Sequence, residues 1–276
     1  MNIIGLGRAG CHIAKCFENY DQYKTFCIDE EDKDYRNFIK VKSQISHEEY
    51  EKKYKKLNLE SLEGETTLIL SGSGKISGCV LRILEQIKHL PISVLYIKSD
   101  ESKKSELYIT RDRLVLGVLQ EYARSNKLER MYLVSNKIVE SVVGEVTIRN
   151  YWDEINKIVS STYHMINVFK NTEPLLDSSV SLKDTIKITT FGVVNYKSGK
   201  EKIFYDLQNV RVKNYFYGIN SKGLEDKKIL NKIRKFVEDR DQEKVDAGFS
   251  IYPTEYDDNY VYCLQHASFI QEQKIE

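Results

Sequence analysis

One short stretch, Ser71-Gly72-Ser73-Gly74-Lys75-Ile76-Ser77-Gly78, constrains this chain more than any other. It follows an apolar, β-prone run (Thr66, Thr67, Leu68, Ile69, Leu70) and precedes a run with helical spacing (Val80, Leu81, Ile83, Leu84, Ile87). That order predicts a strand-to-helix turn. Small residues there let the backbone approach a ligand closely, and the helix N-terminus behind them offers unpaired N–H groups and partial positive charge to an anion. Phosphate suits such a turn, although a merely tight βα connection carries the same pattern. Lys75 after Gly74 looks like a Walker A loop, but Ile69 stands where that motif has its first glycine. Ile76 stands where Ser or Thr would hold magnesium, so the Walker reading fails.

A second glycine turn lies near the start. Residues 2–6 read as a short buried strand, Gly5-Leu6-Gly7-Arg8-Ala9-Gly10 is a literal G-x-G-x-x-G, and a helix through Cys16 and Phe17 follows. The next strand, Lys24 to Ile28, ends in Asp29-Glu30-Glu31-Asp32, with Asp29 about 20 residues past the glycines, where a dinucleotide fold places its ribose-binding acid. Such an acidic run also reads as a solvated loop. Taken alone, residues 1–32 form a dinucleotide fingerprint.

Residues 40–64 are charged and polar and suit an exposed helix or loop. After the Ser71–Gly78 turn and its helix come a strand over Ile92–Ile97, a helix from about Arg111 to Ser125 and a strand over Arg130–Val134. Alternating strands and helices predict a parallel sheet whose ligands bind beyond the carboxyl ends of the strands. The longest periodic segment, Val146 to Phe169, places Ile148, Trp152, Ile155, Val159, Tyr163, Ile166 and Phe169 at three- and four-residue steps, a helix of roughly seven turns. On that pattern Trp152 reads as core. Strands are expected over Thr185–Val194, Val210–Tyr217, Ala247–Tyr252 and Tyr260–Gln265, with a helix over Lys227–Glu238. The fold class is therefore α/β: a Rossmann-like parallel-sheet domain over 1–144, a long central helix over 145–170, and a smaller α+β domain over 171–276.

Composition excludes more than it suggests. With 42 basic against 41 acidic residues, bulk charge gives no support for a nucleic-acid or membrane surface. Five scattered cysteines without a CxxC pair read as small buried hydrophobes in a reducing cytoplasm. His12, directly after a glycine turn, reads as a local hydrogen-bonding residue. The other histidines make no metal-like spacing, so no metal site of the protein's own is expected. No leader and no apolar run of about 20 residues is evident, which points to a soluble, cytoplasmic protein.

Two glycine turns at successive strand ends, a long helix and a small mixed domain resemble the tubulin/FtsZ superfamily. Gly5 to His12 is similar to that family's first glycine loop. Gly72-Ser73-Gly74-Lys75-Ile76-Ser77-Gly78 lies on its GGGTGTG or GGGTGSG signature, keeping the first, third and last glycines and the serine at the sixth place. Thr147 to Trp152 runs along the FtsZ segment whose phenylalanine stacks on guanine. Ala247-Gly248-Phe249-Ser250-Ile251 resembles FGAVID, and the strand through Cys263 resembles VTVIATG. The departures are Lys75 for threonine, Ile76 for glycine, Lys157 for the aspartate that reads guanine, and a segment over 41–64 whose single glycine is Gly64.

The resemblance implies GTP or GDP, with magnesium as an accompanying ion, held by Gly7, Arg8, Ala9, Gly10, Cys11, Gly72, Ser73, Gly74, Lys75, Ile76, Ser77, Gly78, Trp152 and Asn156. In it Trp152 stacks on the base and Asn156 hydrogen-bonds it, while Lys75, in place of the family's threonine, would supply charge to phosphate instead. It also implies head-to-tail self-assembly into filaments, and a GTPase completed at the subunit junction by Glu173 or Asp177 from the loop Asn171–Asp177. Hydrolysis would be slow or lost where the missing threonine and glycines matter. The compact length is closer to plasmid or phage relatives, in a bacterial or phage-infected cytoplasm. Two alternatives remain at this point: an NAD(P)-dependent oxidoreductase, and a non-hydrolysing filament or capping protein with a vestigial pocket.

Overall fold

The computed structural model describes residues 1–276 except 32–33, 104, 242–243, 269 and 272–276; Asp32 of the acidic run thus lies outside the described residues. The chain divides into two compact units, Met1–Ser160 with Ile270–Glu276, and Ser161–Phe269.

In the first unit β1 (Asn2–Leu6), α1 (Gly7–Cys16), β2 (Lys24–Asp29), β3 (Phe38–Lys40), α2 (His47–Lys52) and β4 (Thr66–Leu70) are followed by α3 (Val80–Gln86), β5 (Ile92–Lys98), α4 (Glu106–Arg124), β6 (Arg130–Ser135) and α5 (Asn136–Val143). The strands pair in parallel in the order β3-β2-β1-β4-β5-β6. Every residue of β1 and β4 is buried, which is why both read as unbroken apolar or β-branched runs rather than alternating ones. From β1 the chain builds outward one way to β3, then returns to lay β4 on the other side. That reversal makes the β1/β4 boundary the switch point where an open α/β sheet leaves a crevice beyond its carboxyl ends. Both glycine turns leave from these two strands.

Several expectations shift. The helix expected from Arg111 begins at Glu106, one turn earlier, behind the extended Ser105. Its pattern position Leu114 is 56% exposed. Within 40–64 the expected exposed element contains α2, which is anchored by the buried Tyr50, while Leu59 and Leu62 are also buried. The helix expected from Val146 begins only at Tyr151 (α6, Tyr151–Lys170) after a 3₁₀ turn over Ile148–Asn150. Gly144, at φ +81°, ends α5 in the left-handed region that stops helices. The apolar spacing was therefore read one turn too far, and Ile148 is 98% exposed. From Ile155 onward the pattern holds: Ile155, Val159, Tyr163, Ile166 and Phe169 are all buried. The division between units falls inside α6.

The second unit contains β7 (Leu176–Ser178), β8 (Ile188–Val194), β9 (Glu201–Ile203), β10 (Val210–Asn220), α7 (Ser221–Leu224), α8 (Ile229–Glu238), β11 (Asp246–Thr254) and β12 (Tyr260–Ala267). Its sheet runs β8-β12-β10-β11-β7, with β9 on β8. Among the described residues of this sheet only β10 and β11 pair in parallel, across the α7–α8 connection. Ile229, Ile233 and Val237, on one stripe of α8, join Tyr215, Tyr217, Phe249, Ile251 and Cys263 in a core. On the other sheet face Phe169 of α6 stacks on Phe216 at 5.7 Å and meets Tyr252 at 4.6 Å. Alternation along β10 explains how its aromatics supply both cores.

Candidate functional site

The two glycine turns face each other across the switch point. Gly7 has φ +69° and lies so close to Ile76 that a Cβ there would fall 2.7 Å from Ile76 Cγ2; it is the position where the first turn needs a left-handed residue. Gly10 serves a different purpose. A side chain at Gly10 would begin 2.2 Å from the carbonyl oxygen of Ile69, so its absence lets α1 lie directly on β4. The first turn of α1 carries no side-chain cap and no acidic residue, leaving its N–H groups and positive end at the wall of the crevice.

The second turn is held from below. Ser77 Oγ reaches the carbonyls of Gly72 at 2.8 Å and Gly74 at 2.6 Å. Gly72 faces Tyr96 Oη and Gly78 faces the carbonyl of His47, so both are packing positions. Under Gly72, Tyr96 Oη donates to the Asp112 carbonyl (2.9 Å) and Oδ1 (2.7 Å), and Lys98 Nζ lies 2.6 Å from Asp112 Oδ2. Lys98 also pairs with Glu101, which accepts from Arg113 at 3.0 Å. Burial pushes the Asp112 carboxyl above its usual range, against the pull of Lys98 and Tyr96. This network ties α4 to the end of β5 and commits Lys98 beneath the turn.

Between the turns lies a cavity of about 350 Å³ lined by Leu6, Gly7, Arg8, Ala9, His12, Ile13, Ser71, Ser73, Gly74, Ile76, Ile97, Ser99, Asn136, Trp152 and Asn156, within the roughly 300–1,000 Å³ of small-molecule sites. Of the residues expected to hold nucleotide, Gly7, Arg8, Ala9, Ser73, Gly74, Ile76, Trp152 and Asn156 line it. Gly10, Cys11, Gly72, Ser77 and Gly78 stand behind it as buried support, with Cys11 Sγ donating to the carbonyls of Gly5 (3.4 Å) and Ile28 (3.5 Å). Lys75 is exposed and outside the lining. Trp152, which the helix pattern assigned to the core, is 56% exposed. Asn156 follows it by four residues, which places both on one helix face. Asp29, offered as a ribose-binding acid, is buried, accepts from the Glu30 amide at 2.8 Å and is absent from the lining.

Sequence reasoning missed Ser71, Ser99 and Asn136 as lining residues, and read His12 only as a local hydrogen-bonding group. The hydroxyls of Ser71, Ser73 and Ser99 form a triangle with edges of 3.0, 3.1 and 3.4 Å, a cluster able to donate to phosphate oxygens or accept from sugar hydroxyls. Ser99 and Asn136 are the first residues beyond β5 and β6, so the strand-end rule would have pointed to both. Arg8 is the one fixed cation among the lining residues; its side chain is 70% exposed and 3.8 Å from Glu31, a loose surface pair of little energetic weight.

The two expected acids lie in the second unit. Glu173 is exposed in the segment after α6, whereas Asp177, expected in a loop, belongs to edge strand β7. Burial opposes the Asp177 charge, but hydrogen bonds from Ser179 and from Ser250 Oγ (2.8 Å) outweigh it and hold its carboxyl below the usual range.

No protein-family model and no curated protein matches the sequence. Among solved structures the chain is similar to a GTPγS-form protofilament of TubZ from Bacillus thuringiensis serovar israelensis, at 15% identity over 96% of this chain and 85% of that one, with a TM-score of 0.65. It is similar to an empty FtsZ dimer from M. jannaschii at 10% identity over 100% and 92%, TM-score 0.67. It is also similar to a GTPγS-bound protofilament of CetZ2 from Haloferax volcanii at 13% identity over 96% and 91%, TM-score 0.66. The likeness spans both units and the helix between the sequence landmarks, and at such identities it is one of fold: this chain has the tubulin/FtsZ fold.

Proposed function

We propose that the chain binds a guanine nucleotide between its two glycine turns and assembles head-to-tail into filaments. The observation that carries this reading is the cavity itself. An uncapped helix N-terminus with a serine-lined turn forms one part of its wall, and an exposed indole with an amide four residues on forms another. The first suits phosphates and the second suits a base, stacked on the aromatic face. TubZ and CetZ2, which share the fold, have been seen as GTPγS protofilaments, and TubZ as a two-stranded filament. A head-to-tail contact is heterologous and generates an open polymer when its rotation does not close.

Magnesium fits as an ion carried by the phosphates. No carboxylate lines the cavity among the described residues, and none of their His, Cys, Asp and Glu groups forms a metal cluster, so side-chain oxygens there would come from the serine hydroxyls and the amides of Asn136 and Asn156. For hydrolysis, a carboxylate must then arrive from a neighbouring subunit. Of the two acids we favour Glu173, because Asp177 already accepts hydrogen bonds from Ser179 and Ser250. The reading is tested by light scattering and negative-stain microscopy with GTP, GTPγS, NAD and no nucleotide. Polymers that require a guanine nucleotide are expected. Polymers indifferent to nucleotide, or NAD binding without polymers, would overturn it.

A further inference from the structure

The hydrogen bonds beneath the second glycine turn are one proton short. Tyr96 Oη lies 2.9 Å from the Asp112 carbonyl oxygen and 2.7 Å from Asp112 Oδ1, and a phenol has a single hydrogen for these two acceptors. With an ionised carboxylate that hydrogen is divided between them. A proton on Oδ1 completes the set: the carboxyl donates to Tyr96 Oη, Tyr96 donates to the Asp112 carbonyl, and Oδ2 still accepts from Lys98 Nζ at 2.6 Å. Asp112 is 1% exposed, and burial moves its pKa upward against the pull of Lys98 and Tyr96, the direction that the missing proton requires.

The same proton changes the charge under the turn. The ionisable groups that act most strongly on Asp112 are Lys98 and Tyr96 of β5 and Glu101 of the 3₁₀ turn after it. On α4 itself Arg113 pairs with Glu101 at 3.0 Å and Arg111 lies over the Tyr108 ring. The glycine turn contains no acid, and its Lys75 is exposed. With Asp112 ionised, the cations Lys98 and Arg113 are matched by two carboxylates; with Asp112 protonated, one positive charge is left over. Gly72 seats the turn directly on this group, since a Cβ there would fall 2.2 Å from Tyr96 Oη and 3.1 Å from Asp112 Cα. Its neighbours Ser71 and Ser73 line the cavity, as does Ser99, the residue after Lys98. An anion held in the cavity favours the protonated acid, because a nearby like charge disfavours the carboxylate.

We infer that Asp112 is a positioning residue of the nucleotide site, acting through Tyr96 and Lys98, and that phosphate binding draws a proton onto it. The inference rests on the nucleotide-binding reading above. Because the complex holds more protons than the free protein, affinity rises as pH falls. The test is calorimetric titration of the full chain with GDP from about pH 5.5 to about pH 8, spanning the second phosphate ionisation near 6, in buffers of different ionisation enthalpy. Asp112→Asn supplies a permanently neutral partner, its Nδ2 donating to Tyr96 Oη and its Oδ1 accepting from Lys98. Tyr96→Phe removes the acceptor of the carboxyl proton. The nucleotide's own ionisation is common to all three proteins and cancels between them. Expected are net proton uptake by the parent, binding at least about fivefold tighter at the acid end than the alkaline end, and a smaller uptake in both variants. Asp112→Asn should also bind GDP more tightly than the parent at the alkaline end, whereas a merely structural role predicts weaker binding throughout. No uptake by the parent, uptake unchanged in either folded variant, or a folded Asp112→Asn protein weaker than the parent at every pH overturns the inference. GDP binding without proton uptake leaves the nucleotide reading standing, whereas no GDP binding at any pH removes both.

Discussion

Trp152→Ala separates folding from binding more cleanly than any other change in this protein. The indole is 56% exposed and touches Tyr151 edge-on at 5.0 Å, so its removal leaves little core unfilled. Surface substitutions of that kind stay within about 0.5 kcal/mol of the parent stability. If the indole stacks on a base, its loss weakens nucleotide binding by about 1–3 kcal/mol, which at 1.4 kcal/mol per decade is a roughly 5- to 150-fold rise in dissociation constant. The chain has one tryptophan, so emission from the unmodified protein reports on this side chain alone. Nucleotide should change its intensity and shield it from acrylamide, with a midpoint matching the calorimetric one. Calorimetry then gives the variant's affinity, and its unfolding midpoint confirms the fold. Nucleotide binding that leaves tryptophan emission and quenching unchanged, or a folded Trp152→Ala protein that binds as tightly as the parent, would refute the stacking argument.

Three further outcomes follow from the contacts around the site and in the second unit. Gly10→Ala places a methyl 2.2 Å from a backbone oxygen that cannot rotate away, and denaturant unfolding should show a loss of about 2 kcal/mol or more. Ser77→Ala removes the hydroxyl that holds the Gly72 and Gly74 carbonyls; stability should fall by about 1–3 kcal/mol, with a parallel loss of nucleotide affinity in titration. Glu201 sits among Tyr215 (2.7 Å), Arg240 (2.9 Å) and Lys213 (3.3 Å). Burial opposes its charge, yet these partners prevail and hold its carboxyl below the ordinary value of 4.5. An acid whose folded pKa is depressed stabilises the fold above its unfolded pKa, and that stabilisation is lost as pH falls through the folded value. Unfolding midpoints measured below about pH 4.5 should therefore fall less steeply with acidification in Glu201→Gln than in the parent.

Much of the fold was legible because its signals are local. Unbroken apolar runs marked β1 and β4, and the glycines at positions 7 and 10 marked a strand-to-helix turn, since backbone sterics depend only on near neighbours. Helix boundaries were less legible. Ile148 and Trp152 continue the apolar spacing of α6, yet spacing does not reveal whether a partner surface exists to cover them. The short β3 and β7 were missed as strands for a related reason: three-residue edges are defined by the strands they join, not by their own pattern.

The candidate site divides the same way. From the order of residues alone came the parallel sheet, two anion-friendly turns at strand ends, and the helix that carries an aromatic and an amide four residues apart. Tertiary structure decided which small residues face the crevice and which face the protein. It turned Gly10, Gly72 and Gly78 inward, left Gly74 on the cavity, and brought Ser99 and Asn136 from distant strand ends to join them. The reason is that a strand end has an address in the sequence, but its neighbours are set by strand order, which no local interaction encodes.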